Sequence, residues 1–272
     1  MPELAANEFW YKLVAFACAF GSLVLWEEFG QGWTRKLSRT KRWLGNLALA
    51  ALNTICVRLL APGAMVGAAL ASERLGWGLL HLVPAPAFAE ILVAIVLLDL
   101  AVYGLHIALH RHSLLWRVHR VHHADLDVDV STGLRFHPLE VALTLGVKSG
   151  AVFLLGAPLE AVLLFEVLLS AMTLFAHANI SMPTAAALGL SRALVTPDLH
   201  RVHHSQDGRE ANSNFGFIFS LWDRFFGTFH APYPYGEDGA MKIGLAEYSG
   251  LAPAKLPWML LNPFRGPSRG AP

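Results

Sequence analysis

Charge is scarce in this sequence. Asp, Glu, Lys and Arg make up 15% of its 272 residues and hydrophobic residues 54%, whereas a soluble globular chain carries about 25% charged residues. With a mean hydropathy of +0.45, the shortage points to a bilayer. Neither sign of charge dominates. The 21 basic and 20 acidic residues leave a net charge of +1, so the chain lacks the basic field that nucleic-acid binding draws on. Cysteine is nearly absent. Cys18 and Cys56 exclude a disulfide scaffold and a Cys-rich zinc or iron–sulfur site. There is no Cys-x-x-Cys-His haem attachment and no G-x-G-x-x-G nucleotide fingerprint.

What the sequence has in quantity is apolar runs. A spanning helix needs ~20 mostly apolar residues, and five stretches are candidates: Phe9–Trp26, Leu44–Ala71 (interrupted by Arg58 and Pro62), Phe88–Leu109, Leu139–Leu155 and Leu159–Ala176. The first begins with acids, Glu3 and Glu8, rather than a basic n-region, so it reads as a retained helix and not a cleaved signal. The loop Thr34–Trp43 carries Arg35, Lys36, Arg39, Lys41 and Arg42 with no acid, against Arg74 alone in Ser72–Ala87. The positive-inside rule puts the first loop in the cytoplasm. Counting crossings from there, the third and fifth stretches end in the cytoplasm and the fourth and fifth turn outside at Gly156-Ala157-Pro158. Lys148 and Glu166 lie nine residues either side of Ala157, ~13–14 Å deep at 1.5 Å per residue. Unpaired charges there are costly, so the two are expected to pair, with Arg58 and Asp99 as the alternative partners.

The chain is also rich in histidine, with 13. His106 and His110 form HIALH at the end of the third stretch. His119, His122 and His123 form HRVHH, and His200, His203 and His204 form HRVHH again, 81 residues later. Positions i and i+4 share a helix face, and i, i+3 and i+4 are expected to aim three imidazoles at one point. Thr196, Pro197 and Asp198 mark a helix start before the third box. All three boxes fall on the face assigned to the cytoplasm. Imidazole suits iron, zinc and copper. Eight box histidines exceed what one ion takes, so two metals are the economical reading. His177, at the inner end of the fifth stretch, is placed to be a ninth ligand. His137, in RFHPLE, is a further candidate that could instead hydrogen-bond the chain entering the fourth helix. Asn179, Asp198, Asn212 and Asn214 are candidates for orienting the imidazoles. His81, His112 and His230 read as bystanders. The boxes contain no acid, unlike the Glu-x-x-His pairs of soluble di-iron proteins.

The pattern HxxxH, HxxHH, HxxHH, with eight residues between the first two boxes, resembles the sterol desaturase / fatty acid hydroxylase superfamily of integral membrane oxygenases. STGLRFHPLE (Ser131–Glu140) and NSNFGFIFSLWDRFFGTF (Asn212–Phe229) resemble segments of the same family, and the likeness covers roughly residues 92–229. It implies two non-haem irons, O2 as co-substrate, and a hydroxylated or desaturated lipid. It also implies electrons from outside, delivered by a ferredoxin or a b-type cytochrome with a reductase. Members that cleave ether lipids are similar but carry Glu after the first box. Arg111 stands there in this chain, which points away from that activity.

The expected fold is therefore all-α: an integral membrane bundle of about four to five membrane helices with a cytoplasmic histidine-rich helical cap. The expected organisation is N-terminal membrane helices over residues 1–87, a catalytic domain over 88–230 and a cytoplasmic tail over 231–272. Two rivals use the same histidines. A membrane zinc hydrolase would need about three protein ligands and a carboxylate base, and a metal transporter would place its ligands at the bilayer midplane.

Overall fold

The computed structural model of the protein describes residues 2–30, 32–231 and 241–266. Parts of the expected tail, residues 232–240 and 267–272, lie outside the described residues. The chain is all-α, and among the described residues β-structure is confined to two isolated bridges, Leu194 with Phe219 and Ser205 with Ile243.

Seven helices build the bundle: α1 (Pro2–Phe29), α2 (Arg39–Leu60), α3 (Ala64–Leu75), α4 (Ala87–Arg111), α5 (Ser113–His123), α6 (Pro138–Leu155) and α7 (Leu159–His177). Five shorter ones follow: α8 (Thr184–Leu190), α9 (Pro197–His203), α10 (Gly208–Ala211), α11 (Leu221–Phe226) and α12 (Leu256–Leu261). Five segments are long and apolar enough to cross a membrane: Glu3–Phe29, Arg39–Leu82, Ala87–Arg111, Pro138–Leu155 and Leu159–His177. These are the five stretches read from the sequence, with the second broken. Pro62 cannot continue a helix, and Gly63 follows in the left-handed region at φ +61°, so α2 ends and α3 restarts. The turn between α6 and α7 falls at Gly156, φ +67°. There Gly78 packs so closely that a Cβ on it would meet the Gly156 backbone at 2.3 Å.

The core lies where α3, α4, α6 and α7 meet. Met65, Ala69, Leu98, Val152, Ala161 and Phe165 are buried together there, while the outward faces of the long helices keep large apolar residues such as Val14, Leu59, Phe88 and Leu154 exposed. Such a surface belongs against lipid. The expected charge pair is present at that depth. Glu166 lies 3.7 Å from Lys148 and 3.0 Å from Lys12, a partner the sequence reading did not include. Arg58 instead lies over the Phe9 ring, and Asp99 accepts the Ile218 and Phe219 amides and the Trp222 indole N–H.

A second, polar layer closes one end. Arg42, at the start of α2, is fully buried and bonds Asp125 at 2.7 and 2.8 Å and Asp129 at 2.6 Å. Burial opposes ionisation of Asp125, but the Arg42 and Arg135 guanidiniums hold its carboxyl well below the usual carboxylate range. Glu27 ties the end of α1 to the same layer by accepting the Val130 and Asn179 amides. The basic loop enters it too, where the Lys36 and Leu37 amides donate to Asp127. The described part of the tail is not a free appendage. The Gly244 amide bonds the His204 carbonyl, and Arg135 and Arg120 reach the carbonyls of Pro253 and Asn262. Met259 of α12 is buried against Leu49 and Val121.

Candidate metal centre

Nine histidines converge at this polar end, all at most 2% exposed. They form two groups whose ligand atoms lie within 4.8 Å of one another: His106, His110, His119, His123 and His203 in one, and His122, His177, His200 and His204 in the other. The expectation that each HRVHH box aims at one point is corrected. A helix turns about 100° per residue, so the i+3 imidazole diverges from the i and i+4 pair. In α5, His119 and His123 enter the first group and His122 the second. In α9 the allegiance reverses, with His200 and His204 entering the second group and His203 the first. Identical pentapeptides thus feed the two groups in opposite senses.

Four of the nine imidazoles are held in one tautomer by acceptors behind them, whereas Nδ1 of His110, His122, His200 and His204 is buried without one. His106 Nδ1 donates to the Phe215 carbonyl at 2.7 Å, His177 Nδ1 to Thr173 at 2.7 Å and His203 Nδ1 to Ser213 at 2.8 Å. His119 Nδ1 donates to Glu140 Oε1 at 2.7 Å. A carbonyl or carboxylate oxygen only accepts, so each Nδ1 carries the proton and each Nε2 keeps a lone pair. Those lone pairs face other nitrogens. His106 Nε2 lies 3.2 Å from His119 Nε2, and His177 Nε2 lies 3.0, 3.0 and 3.2 Å from Nε2 of His122, His200 and His204. His203 Nε2 is buried with no hydrogen-bond partner. Between His106 and His119, where Nδ1 carries the proton on both rings, two lone pairs face each other and repel unless a cation sits between them. Two metal–nitrogen bonds of ~2.1 Å at right angles span ~3.0 Å, so the donor set fits a metal. Burial and the neighbouring imidazoles push His122, His123, His200 and His204 well below the ordinary histidine value, and burial lowers His203 to about 3. All five are neutral, as ligands must be.

The other sequence candidates sit elsewhere. His137 caps α6, its Nδ1 accepting the Leu139 amide at 3.2 Å while Nε2 faces the Leu260 carbonyl at 3.3 Å. Asn179 bonds both backbone groups of Trp33, which joins the exit of α7 to the loop after α1. Asp198 lies in the first turn of α9 with its carboxyl raised by burial. Asn212 donates to the Gly208 carbonyl. Asn214, in the left-handed region at φ +51°, bonds Leu199 and His230. Among the described residues, no hydrogen bond joins the side chains of Asn179, Asp198 or Asn214 to an imidazole of either group. His81 and His112 are exposed, and so is Arg111, which lies outside both groups.

The groups that do orient the imidazoles were missed. Glu140 is one. The other is the Ser213–Phe219 run, whose carbonyls hold His203 and His106. Asp223 fixes that run by accepting the Phe215 and Gly216 amides at 2.7 and 2.9 Å, and Asp99 holds its far end. Only the run's dense Asn, Gly and aromatic content hinted at a built loop.

The family model for fatty acid hydroxylase matches residues 91–228, just over half of the chain. Over 147 residues the chain is 33% identical to the ornithine lipid hydroxylase OlsE of Rhizobium tropici, covering 54% of this chain and 44% of that protein. It is 28% identical to the alkylglycerol monooxygenase of Homo sapiens over 49% of this chain and 29% of that protein. It is 32% identical to the very-long-chain aldehyde decarbonylase GL1-9 of Oryza sativa subsp. indica over 53% of this chain and 55% of that protein. The chain therefore spans about half or less of the length of these curated relatives. No solved structure matches it.

Proposed function

This chain belongs to the fatty acid hydroxylase family, and on that premise we propose that it is an integral membrane oxygenase that hydroxylates or desaturates a lipid. The observation that carries the reading is the pair of buried histidine groups, in which Nε2 of His106, His119 and His177 faces other imidazole nitrogens and Nε2 of His203 has no partner. They adjoin a cavity lined by His106 and by apolar residues of α2, α4, α6 and α7. Relatives named as a lipid hydroxylase and a monooxygenase favour this over the zinc hydrolase.

His106, His110, His119, His123 and His203 would hold one iron, and His122, His177, His200 and His204 the other. When bound, iron supplies the activation of O2 and the removal of hydrogen from an unactivated C–H bond. Hydroxylation takes one lipid C–H, O2, two electrons and two protons to an alcohol and water. Desaturation removes two hydrogens and gives two waters. The electrons come from a ferredoxin or a b-type cytochrome with its reductase. The chain's own residues bind, orient and exclude. Glu140 and the carbonyls of Ser213, Phe215 and Thr173 fix the rings, and burial keeps them neutral. The apolar walls admit a lipid from the bilayer and keep water out. Residues 88–230 form the catalytic unit in this reading, with 1–87 supplying membrane helices. The basic loop Thr34–Trp43 is anchored at the same end as the histidine groups through Asp127, so the positive-inside rule makes that end cytoplasmic.

The test is purification after iron-replete expression, followed by metal analysis and lipid mass spectrometry of cells with and without the protein. The reading requires two irons per chain and an O2-dependent lipid change of ~16 or ~2 mass units, the signature of oxygen insertion or hydrogen removal. Bound zinc with O2-independent lipid cleavage would overturn it.

A further inference from the structure

The interior behind the histidine groups is hollow and leads away from them into the bundle. A cavity of about 250 Å³ has His106 and Glu140 at one end and Lys148 and Glu166 at the other. A larger space of about 530 Å³ shares Val57, Lys148, Glu166 and Thr173 with it and extends to α1. The two volumes together lie in the range of lipid- and drug-sized sites, ~300–1,000 Å³.

The walls are mostly apolar, and apart from His106 and Glu140 their charged groups, Lys12, Arg58, Lys148 and Glu166, gather at one place. Lys12 is fully engaged there, donating to Glu8 Oε2 at 2.8 Å and to Glu166 Oε2 at 3.0 Å. Lys148 is not. Its closest carboxylate oxygen, Glu166 Oε1, is 3.7 Å away, beyond hydrogen-bond reach, and no hydrogen bond from its ammonium occurs among the described residues. Three N–H donors therefore face the shared part of both cavities. An ionisable group inside a membrane segment is costly and marks function by default. Arg58, the neighbouring cation, stacks on the Phe9 ring 3.9 Å from its centroid and is committed elsewhere.

The position of Lys148 sets a length. It follows Glu140, which holds His119, by eight residues of the same helix, or ~12 Å at 1.5 Å per residue. Side chains lean toward the N-terminus of their helix, here toward the histidine groups. We propose that Lys148 binds an oxygen acceptor of the lipid, a carboxylate or carbonyl, and so holds it no more than roughly 12 Å along α6 from the level of Glu140 and the histidine groups. The proposal rests on the oxygenase reading for the word substrate, but not for the binding itself. Glu166 positions the ammonium, and the Glu8–Lys12 pair occupies the second oxygen of Glu166.

The experiment measures binding without turnover, so its outcome is separate from that of the iron and O2 tests above. The full chain is placed in nanodiscs of dioleoylphosphatidylcholine and photolabelled with a diazirine-bearing hexadecanoate. Hexadecanoic acid, methyl hexadecanoate and hexadecane then compete. Wild-type protein should favour the acid and the ester at least tenfold over hexadecane, with label on α6 and α7. Lys148→Met should cut that preference to under twofold, and Lys148→Arg should retain it. If Lys148→Met fails to fold, Lys148→Gln serves, with an intermediate preference expected. Hexadecane competing as well as the acid against wild type, or an undiminished wild-type preference in Lys148→Met or Lys148→Gln, overturns the proposal.

Discussion

Glu140 offers the sharpest perturbation of the centre. It is buried, at 2% exposed, and among the described residues its carboxyl has one hydrogen bond, the 2.7 Å contact with His119 Nδ1, while Oε2 has no partner. A buried carboxylate with a single neutral donor is poorly compensated. A cation held by His119 Nε2 would supply the missing positive charge through the ring. Loss of such an orienting partner costs 10- to 100-fold in metal affinity or activity, or about 1.4–2.7 kcal/mol. The structure divides that range. In Glu140→Gln an oxygen still accepts from Nδ1, so the tautomer survives and only the charge goes, which places this variant near tenfold. In Glu140→Leu the Nδ1 proton is buried without an acceptor, which places it near 100-fold. The assay is iron retained per chain during titration with a chelator, alongside turnover. Glu140→Asp should recover part of the loss if the shorter acid still reaches Nδ1. Iron affinity within twofold of wild type for Glu140→Leu would refute the reasoning, because a structural role alone would not order the three variants this way.

Other expectations follow from the same geometry. Single replacement of His119 or His200 by Ala should abolish activity and lower bound iron, whereas His81→Ala should leave both unchanged, as measured by metal analysis of the purified variants. Removal of metal should lower thermal stability, since an ion at 100 times its Kd adds about 2.7 kcal/mol to the folded state; an unchanged melting temperature after complete chelation would count against resident metal. Arg42→Met leaves Asp125 and Asp129 buried without their cation and should cost about 3–5 kcal/mol, visible as loss of folded protein in detergent. Asp99→Ala frees two amides and an indole N–H, each an unsatisfied group worth about 1–3 kcal/mol, and should shift the Phe215 carbonyl enough to weaken iron binding.

Much of this was legible in the sequence, and what was not has physical reasons. Apolar length gave the five spans, and Gly156-Ala157-Pro158 gave the hairpin turn. The equal spacing of Lys148 and Glu166 from that turn gave their pairing. Lys12 escaped notice because its partner is 154 residues away and helix docking has no signature in spacing. The histidines announced themselves by repetition, but the split of each box between two groups depends on the 100° between neighbours, which a count of motifs ignores. The carbonyls that fix His106, His177 and His203 belong to Phe215, Thr173 and Ser213, and any residue type supplies a carbonyl. Glu140 stands 21 residues from His119, across a connection, with a short 3-10 turn at Val130–Leu134, that breaks the helical spacing and hides the relation. Of the four polar residues chosen for orienting the rings, Asn179, Asn212 and Asn214 bond backbone groups, and Asp198 Oδ1 has no partner among the described residues.

The exchange of allegiance between the two HRVHH boxes has a mechanical consequence. α5 and α9 each carry donors for both histidine groups, so neither helix can tilt or slide to open one group without spoiling the other. If each group takes an ion, filling the first would fix both helices and hold His122, His200 and His204 around His177 for the second. Metal loading would then be cooperative: titration of stripped protein should pass from empty to doubly filled chains with few half-filled ones. Damage spreads the same way, and a defect in either group should empty both.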